Sequence, residues 1–267
     1  MTIIRKAALG ILLAVFSSCL LAELLAPAPY AMQFRDQPNA SPSKSFPLGT
    51  DDLGRDRLSR LLHGTRVSLL LAPAAALLST LVAALAGGLA GYLGGWWERL
   101  TLGATDLLLS LPWLFLLLTV RAMLPLDVAP LLSVAVTFAL LGLLGWAAPA
   151  RIVCVGIRSL RKSDFALQAQ AYGCRKLRLA WVHLLPNLKP ILLAQFWVSI
   201  PVFILGEANL GLLGLGVAEP LPSWGNLLRE LENYPAVIAN PWMLAPVGLL
   251  VLVVSCFQVI LNKEGAA

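Results

Sequence analysis

The chain has 267 residues, of which 58% are hydrophobic and only 13% are charged. Its mean hydropathy of +0.80 excludes an ordinary soluble domain, and runs of about 20 apolar residues, long enough to cross a hydrocarbon core of ~30 Å as helix, recur along it. The 20 Lys and Arg residues exceed the 14 Asp and Glu residues. The positive-inside bias of membrane proteins explains this excess without a nucleic-acid partner.

This composition predicts an all-α, polytopic membrane protein with six transmembrane helices. A membrane β-barrel would instead show short segments of alternating hydrophobicity. The expected spans are residues 7–25, 67–93, 106–124, 131–148, 191–208 and 242–261. Pro112 and Pro201 fall inside the third and fifth spans, and the fourth is expected to end before Pro149.

The first span has an alternative interpretation as a cleaved signal peptide. Arg5 and Lys6 precede an apolar run that is followed by "APAPYA", and "FSSC" weakly suggests a lipoprotein site at Cys19. We favour a retained helix because the apolar run is long for a signal sequence. Removing it would also place the two termini on opposite sides of the membrane.

Charge predicts the orientation of the six spans. If the N-terminus lies in the cytoplasm, 12 of the 20 basic residues and only four acidic residues fall on the cytoplasmic side, as the positive-inside rule requires. The bases are Arg5, Lys6, Arg99, Arg151, Arg158, Arg161, Lys162, Arg175, Lys176, Arg178, Lys189 and Lys263, and the acids are Glu98, Asp106, Asp164 and Glu264. Asp106 and Arg121 lie near opposite ends of the third span, and both are expected to reach the interfaces.

The second span carries a row of small residues, Ala83, Gly87, Gly91 and Gly95, at a spacing of four. Small residues at this spacing let another helix approach closely. We interpret them as a packing face whose partner the sequence does not identify. The alternative is that glycine is simply common in membrane helices.

The most basic stretch of the chain, "SDFALQAQAYGCRKLRLAWVHLLPNLKP", lies between the fourth and fifth spans. Ser163 is a suitable N-cap for a helix over residues 164–172, and Gly173 would end it. A second short helix is expected over residues 175–185, stopped by Pro186. Two short helices with an angle between them would present a mixed apolar and basic surface to a protein partner. A solvated loop held near anionic lipid is the alternative.

The spacing of Gly173, His183, Leu185, Pro186 and Asn187 resembles the EAA loop of ABC importer permeases. In that family the loop is a coupling helix that docks into a groove on a separate ATPase subunit. The resemblance implies a coupling loop at about residues 151–189, with candidate residues Leu167, Gln168, Ala169, Gly173, Arg175, Lys176, Arg178, His183, Pro186 and Asn187. Leu167 and Gln168 depart from the family pattern, since Leu167 stands where the family usually has glutamate.

Two further stretches resemble the C-type subunit of the dipeptide, oligopeptide and nickel permeases within that family. They are "FPLGTDDLGRDRLSRLLHGTRVSLLLA" at residues 46–72 and "GEANLGLLGLGVAEPLPSWGNLL" at residues 206–228, the second followed by "NPW". The resemblance implies the type I importer permease fold in a single domain, residues 1–267. Residues 1–66 would form the N-terminal helix and an outer loop, and residues 67–262 the core permease helices.

The charged part of the first stretch, "GTDDLGRDRLSR", is expected to form a compact, ion-paired structure at the outer face. Its charges alternate in sign and are Asp51, Asp52, Arg55, Asp56, Arg57 and Arg60. The glycine-rich second stretch has no lysine after its glycines and is not a nucleotide loop. It is expected to be an irregular segment at the outer mouth, tolerable where protein or a cavity surrounds it.

Candidate pathway or outer-gate residues in this second stretch are Glu207, Asn209, Gly214, Gly216 and Trp224. Glu207 and Asn209 either line a pathway or bond to the backbone of the neighbouring loop. Trp224 is a candidate anchor at the membrane interface. Ionised groups inside hydrocarbon are costly, which is why an acidic residue near a span suggests a function.

The sequence supports no catalytic activity of its own. It contains no "GK" dipeptide and therefore no Walker A lysine. His63 and His183 fall on opposite sides of the membrane, and the four scattered cysteines (Cys19, Cys154, Cys174 and Cys256) are interpreted as free thiols, so no metal site and no bound cofactor are expected.

The resemblance implies a non-enzymatic, multi-pass subunit of the inner or plasma membrane with both termini in the cytoplasm. Its partners would be a second permease subunit, two ABC ATPase subunits that bind ATP, an extracytoplasmic solute-binding protein and membrane lipid. Di- or oligopeptides are the expected substrates. The alternatives are a permease for nickel or another small solute, a secondary transporter or channel without an ATPase, and a non-transporting scaffold.

Overall fold

The structure is a computed structural model that describes residues 3–125, 128–175 and 178–262. Its helices in these ranges are α1 (Ile3–Leu20), α2 (Ala22–Leu25), α3 (Arg57–Leu93), α4 (Gly95–Ser110), α5 (Trp113–Ala122), α6 (Pro130–Leu144), α7 (Ala147–Arg161), α8 (Asp164–Ala171), α9 (Leu185–Leu212), α10 (Trp224–Arg229), α11 (Tyr234–Ala239) and α12 (Ala245–Leu261). A π-helical segment, Leu179–Leu184, precedes α9, and 3-10 turns, Glu230–Glu232 and Pro241–Leu244, precede α11 and α12. No β-strand occurs within the described ranges.

The all-α, polytopic architecture predicted from composition is confirmed. Among the described residues, five helical stretches are long and apolar enough to cross a membrane: Ile3–Leu20, Arg57–Leu93, Pro130–Arg161, Leu179–Leu212 and Pro241–Leu261. Helices α4 and α5 form a sixth if the pair is counted as one span, although they are bent by 90° at their junction. Each predicted span thus has a helical counterpart, but several bounds differ.

Helix α3 begins at Arg57, earlier than the expected start near residue 67. Asp56 caps its first turn, because the Asp56 carboxylate accepts from the Ser59 backbone N–H at 2.7 Å and from the Ser59 hydroxyl at 2.5 Å. The first turns of α3 are charged and carry no hydropathy signal. The predicted outer loop therefore ends at Asp56, and residues 57–66 are helical.

The third span is broken where Pro112 stands between α4 and α5. Proline lacks the N–H that a continuing helix needs and clashes with the preceding turn, which is why the chain turns here. Helix α4 also starts at Gly95, well before the predicted start at residue 106. The charged residues of its first turns lower the local hydropathy, and α4 as a whole packs against α7.

The fourth span does not end before Pro149. Helix α7 follows α6 after a two-residue break and contains Pro149 in its first turn, where the missing N–H has no helical partner to lose. Arg151, Arg158 and Arg161 consequently lie on a helix and not in the expected loop. Arg151 pairs with Asp106, and Arg158 pairs with Glu98. Arg161 donates to the backbone carbonyls of residues 91 and 92.

The described residues form two compact units, each built from discontinuous segments. The first unit consists of Met1–Ala72, Val120–Phe138 and Ile204–Ala267, and the second of Pro73–Thr119 and Ala139–Phe203. In the first unit α1 packs along α12, and the Arg5 guanidinium donates to the Asn262 carbonyl. The expected division of a single domain at residues 66 and 67 stays a prediction.

The small-residue face of α3 packs against α7 in the second unit. A Cβ atom on Gly87 would lie 2.2 Å from the Ala150 carbonyl oxygen, and one on Gly91 would lie 2.5 Å from the Cys154 carbonyl oxygen. Such distances show backbone-to-backbone contact that only glycine permits. Gly95, the fourth member of the predicted row, lies beyond the end of α3, where its φ is +57°.

Candidate functional site

The candidate coupling segment, residues 163–187, begins with the predicted helix, α8. Ser163 occupies the N-cap position in an extended conformation, as expected. Its side chain does not cap the helix, however, because the hydroxyl donates to the Leu160 carbonyl at 2.5 Å. The backbone carbonyl of Ser163 instead accepts from Ala166 and Leu167, each at 3.0 Å.

Gly173 ends this helix in the left-handed conformation, with φ of +76°. The Cys174 N–H donates to the Ala169 carbonyl at 3.0 Å, and the Gly173 N–H donates to the Gln170 carbonyl at 2.9 Å. This pair of bonds is a Schellman motif. An added Cβ on Gly173 would have no atom within 4 Å, so the demand for glycine arises from the backbone conformation and not from crowding.

A second short helix is expected over residues 175–185, and the structure is helical there from Leu179 onward, but the expected stop at Pro186 is wrong. A π-helical segment over Leu179–Leu184 continues directly into α9. Helix α9 contains Pro186 near its start and Pro190 and Pro201 further along. The π turns end at Leu184, so Pro186, which has no N–H to donate, stands where the wider turns change to α-helix. The Asn187 side-chain amide donates to the His183 carbonyl at 2.7 Å and supports this junction.

A small apolar core fixes the base of the coupling segment within the second unit. Its buried members are Val153, Ile157, Ala166, Leu179, Leu184 and Leu188, drawn from α7, α8, the π-helical segment and α9. Trp181 and Leu185 stand outside this core with exposed side chains. The segment is therefore anchored on one side and accessible on the other.

The accessible side forms a concavity of about 610 Å³ lined by several of the predicted coupling residues. Its lining is Ala169, Tyr172, Gly173, Cys174, Arg175, Arg178 and His183. Leu167 and Gln168 are exposed on α8, and Pro186 and Asn187 are exposed at the start of α9. Lys176 lies outside the described residues. Tyr172, 91% exposed, was not singled out by sequence reasoning.

The predicted ion-paired structure near the start of α3 is present in the first unit. Asp51, fully buried, accepts from the Arg55 Nε at 2.6 Å and from the Arg55 backbone N–H at 2.7 Å. Arg60, 1% exposed, lies 3.6 Å from Asp51. Asp52, by contrast, is exposed and makes no ion pair among the described residues.

Two acidic residues that sequence reasoning missed complete this cluster. Glu219 pairs with Arg60 at 3.0 Å and with Arg55 at 2.8 Å, and Glu230 pairs with Arg57. Both lie more than 150 positions further along the chain, as the residue numbers show. The charge pattern therefore predicted the cluster but could not identify these partners.

The pKa values of these two carboxyls are shifted in opposite directions, because burial raises each pKa and the neighbouring arginines lower it. Burial raises the pKa of Glu219, but the hydrogen bonds and charges of Arg60 and Arg55 outweigh it and hold that pKa below the ordinary 4.5. Burial dominates at Glu230 and raises its pKa, although the charges of Arg57 and Arg60 oppose the shift. The half-exposed Glu219 thus remains ionised to lower pH than the enclosed Glu230.

Glu207 and Trp224, two candidate gate residues, are fully buried in the first unit. The Glu207 carboxylate accepts from the Ser68 hydroxyl at 3.0 Å, while the Trp224 indole N–H donates to Thr65 Oγ1 at 2.9 Å. Trp224 is therefore not the expected interface anchor. Both side chains join the second glycine-rich stretch to α3.

The glycines of this stretch allow close approach to α9. Gly214 has φ of +76° and ends α9 in a Schellman motif, with the Leu215 N–H donating to the Leu210 carbonyl at 2.8 Å. A Cβ on Gly216 would lie 2.5 Å from the Gly211 Cα. Asn209 is exposed on α9 and does not join Glu207. Gating by these five candidates stays a prediction.

Arg121 does not reach an interface as expected. It is 1% exposed and lines a cavity of about 160 Å³ in the first unit. Asp106, at the other end of the predicted third span, is exposed and pairs with Arg151 in the second unit.

The family model described as "Binding-protein-dependent transport system inner membrane component" matches residues 83–263. The chain belongs to this permease family. The matched residues include the candidate coupling segment and the stretch around Gly214, so both structural features lie in the part of the chain that defines the family. The permease is thus a multi-pass inner-membrane component of a transport system.

The curated relatives extend the similarity beyond that region. The permease is 33% identical to the oligopeptide transport system permease protein OppC of Bacillus subtilis over 220 residues, 82% of this chain and 70% of the relative. It is 34% identical to the di/tripeptide transport system permease protein DppC of Pseudomonas aeruginosa over 271 aligned residues, 98% of this chain and 86% of the relative. The first motif, at residues 46–72, therefore falls within an aligned region as well.

Proposed function

We propose that this permease is one transmembrane subunit of an ATP-driven importer of di- and oligopeptides. Its relatives from Bacillus subtilis and Pseudomonas aeruginosa are oligopeptide and di/tripeptide permeases by name, which supports the peptide substrate class. A second permease subunit would form the other half of the pathway. Two ATPase subunits and an extracytoplasmic solute-binding protein would complete the system, and ATP would be bound by the ATPases and not by this chain.

The coupling segment is the surface on which an ATPase would act. The single observation that carries this proposal is the two-sided placement of the segment around Gly173. One side is anchored in the buried core that contains Leu179, Leu184 and Leu188, and the other side is exposed. A push on the exposed side would reach α7 and α9 through that core. Arg175 and Arg178, both exposed, would meet acidic or polar groups of the partner.

The positive-inside count supports a cytoplasmic position for this segment and for both termini. In that orientation the ion-paired cluster around Arg60 and the stretch around Gly214 lie at the outer face. That face is where a solute-binding protein would deliver its peptide.

Two substitutions at Gly173 test the coupling role. Gly173→Val forces a β-branched residue into the left-handed region and should lower peptide uptake per ATP hydrolysed about tenfold or more. Gly173→Asn is the matched control, because asparagine tolerates positive φ, as Asn39 does here with φ of 52°. Peptide uptake and ATP hydrolysis are measured together in proteoliposomes that contain the whole complex. Unchanged coupling in Gly173→Val would contradict the proposed role.

Copurification tests the transport class itself. The tagged permease should copurify with a Walker-motif ATPase, and peptide uptake should require ATP. Peptide movement by the purified chain without any ATPase would instead favour the secondary-transporter or channel alternative. Uptake of Ni²⁺ without uptake of peptide by the complete system would favour the nickel alternative.

A further inference from the structure

The buried guanidinium of Arg121 has no carboxylate partner among the described residues. Its Nη1 donates to the Pro125 carbonyl at 3.3 Å and its Nη2 to the Ser133 hydroxyl at 3.4 Å, both long hydrogen bonds. Its Nε is buried and has no hydrogen-bond partner. Arginine remains charged in proteins, and an uncompensated buried charge is strongly unfavourable. Within the described ranges, no carboxylate pairs directly with this charge.

The cavity in front of Arg121 is suited to an anion. It measures about 160 Å³, and Arg229, Ser133, Gly214, Gly216 and Glu219 are among its lining residues. The Arg229 guanidinium lies beside Gly214, where a Cβ would come within 3.2 Å of Arg229 Nη1. Arg229 also has no ion-pair partner in the part of the chain that the structure describes. Glu219, the acidic residue of the lining, is already paired with Arg55 and Arg60.

We propose that the cavity of Arg121 and Arg229 binds a carboxylate, namely the C-terminal carboxylate of the transported peptide. Two guanidinium groups at one small cavity suit charge-assisted hydrogen bonds to a planar carboxylate. Gly214 presents no side chain, which lets the Arg229 guanidinium lie against the loop beside the cavity. This inference rests on the proposed peptide-import function and places substrate recognition inside the permease itself.

The decisive experiment compares uptake of a peptide with uptake of its C-terminal amide. Uptake by the whole complex in proteoliposomes is measured at subsaturating concentration, and the acid-to-amide ratio is taken for wild type, Arg121→Gln, Arg121→Lys and Arg66→Gln. The ratio within each variant does not depend on how much complex assembles. The same solute-binding protein is used with every variant, so its own preference for acid or amide contributes equally to each ratio. A change in the ratio therefore arises in the permease.

We expect Arg121→Gln to lower the acid-to-amide ratio at least tenfold, equivalent to about 1.4 kcal/mol. Arg121→Lys should retain part of the ratio, because it keeps the charge without the planar fork. Arg66→Gln is the matched control, since Arg66 is partly exposed and already paired with Glu23, and its ratio should equal that of wild type. An acid-to-amide ratio in Arg121→Gln equal to that of wild type would overturn the proposal, whatever the total peptide uptake.

A binding measurement separates this inference from the proposed function. The melting temperature of the purified complex, without binding protein, should rise with an N-acetylated dipeptide and should not rise with its C-terminal amide. Arg121→Gln should abolish the rise. If chloride or phosphate gives an equal rise, the cavity holds a small inorganic anion and the assignment to a peptide is wrong. If wild type takes up no peptide, the proposed function fails, and the melting data alone decide whether the cavity binds a carboxylate.

Discussion

Individual charged residues in this permease are placed by ion pairs that bridge distant parts of the chain. Arg60 is 1% exposed and lies within 3.0 Å of Glu219, 3.6 Å of Asp51 and 3.7 Å of Glu230. A buried arginine surrounded by three carboxylates keeps its charge compensated. Arg121 is just as buried and lacks any such partner among the described residues, which is why it and not Arg60 is a candidate for ligand binding.

Glu219→Gln should lower the free energy of unfolding by about 1–2 kcal/mol at neutral pH. The loss should be smaller than the ~3–5 kcal/mol typical of breaking a fully buried pair, because Glu219 is half exposed and Arg60 keeps two other carboxylates nearby. Thermal unfolding of the purified complex measures the effect. Glu232→Gln is the control, since Glu232 is exposed in the same region and forms no ion pair among the described residues.

The stabilisation by Glu219 should depend on pH with a definite sign. The pKa of Glu219 is held below its ordinary 4.5, so the folded protein favours the ionised carboxylate and the stabilisation is fully present above about pH 4.5. It is lost as the pH falls through the lowered pKa. The difference in melting temperature between wild type and Glu219→Gln should therefore vanish in strong acid, and a difference that grows as the pH falls would contradict this account.

Close contact between helices depends on specific glycines in α3. Gly87 and Gly91 face the backbone of α7, while Gly88 has no atom within 4 Å of the Cβ it lacks. Neighbouring glycines on one helix thus have different roles, and the spacing of four correctly identified the packing face. Hydropathy alone would treat the three glycines as equivalent.

Gly87→Leu and Gly88→Leu form a matched pair that tests this packing. A Cβ atom at position 87 would lie 2.2 Å from the Ala150 carbonyl oxygen, so Gly87→Leu should destabilise the permease by about 1–3 kcal/mol or more. Gly88→Leu should be nearly neutral. The yield of folded complex and its melting temperature after detergent extraction provide the measurement, and equal behaviour of the two variants would show that α3 does not pack on α7 through Gly87.

At the scale of the whole molecule, orientation in the membrane decides what each surface can contact. The coupling segment can serve an ATPase only if it faces the cytoplasm. The cavity of Arg121 can serve an incoming peptide only if it is accessible from the outer side of the membrane. The positive-inside count supports that arrangement. Cysteine labelling can test it, because three of the four native thiols, Cys19, Cys154 and Cys256, are buried.

Cysteines introduced at Arg175 and Asp36, one at a time, should react with a membrane-impermeant thiol reagent from opposite sides. Both positions are exposed, and the partly exposed Cys174 is first replaced by alanine. Arg175→Cys should label only in inverted vesicles and Asp36→Cys only in intact spheroplasts. Labelling of Arg175→Cys from the outside would contradict the coupling role of the whole segment.

The sequence by itself determined the helical class, the six apolar stretches, the Gly173 turn and the charged cluster at the start of α3, because hydropathy, helix caps and charge patterns depend on neighbouring residues. The continuation of α9 through Pro186, the partnership of Arg60 with Glu219 and the burial of Trp224 and Arg121 were decided only by the tertiary structure. These features depend on which distant segments meet, and a local pattern of residues carries no information about partners far along the chain. For the same reason Arg121 looks like an interface residue in the sequence and becomes a candidate binding residue in the fold.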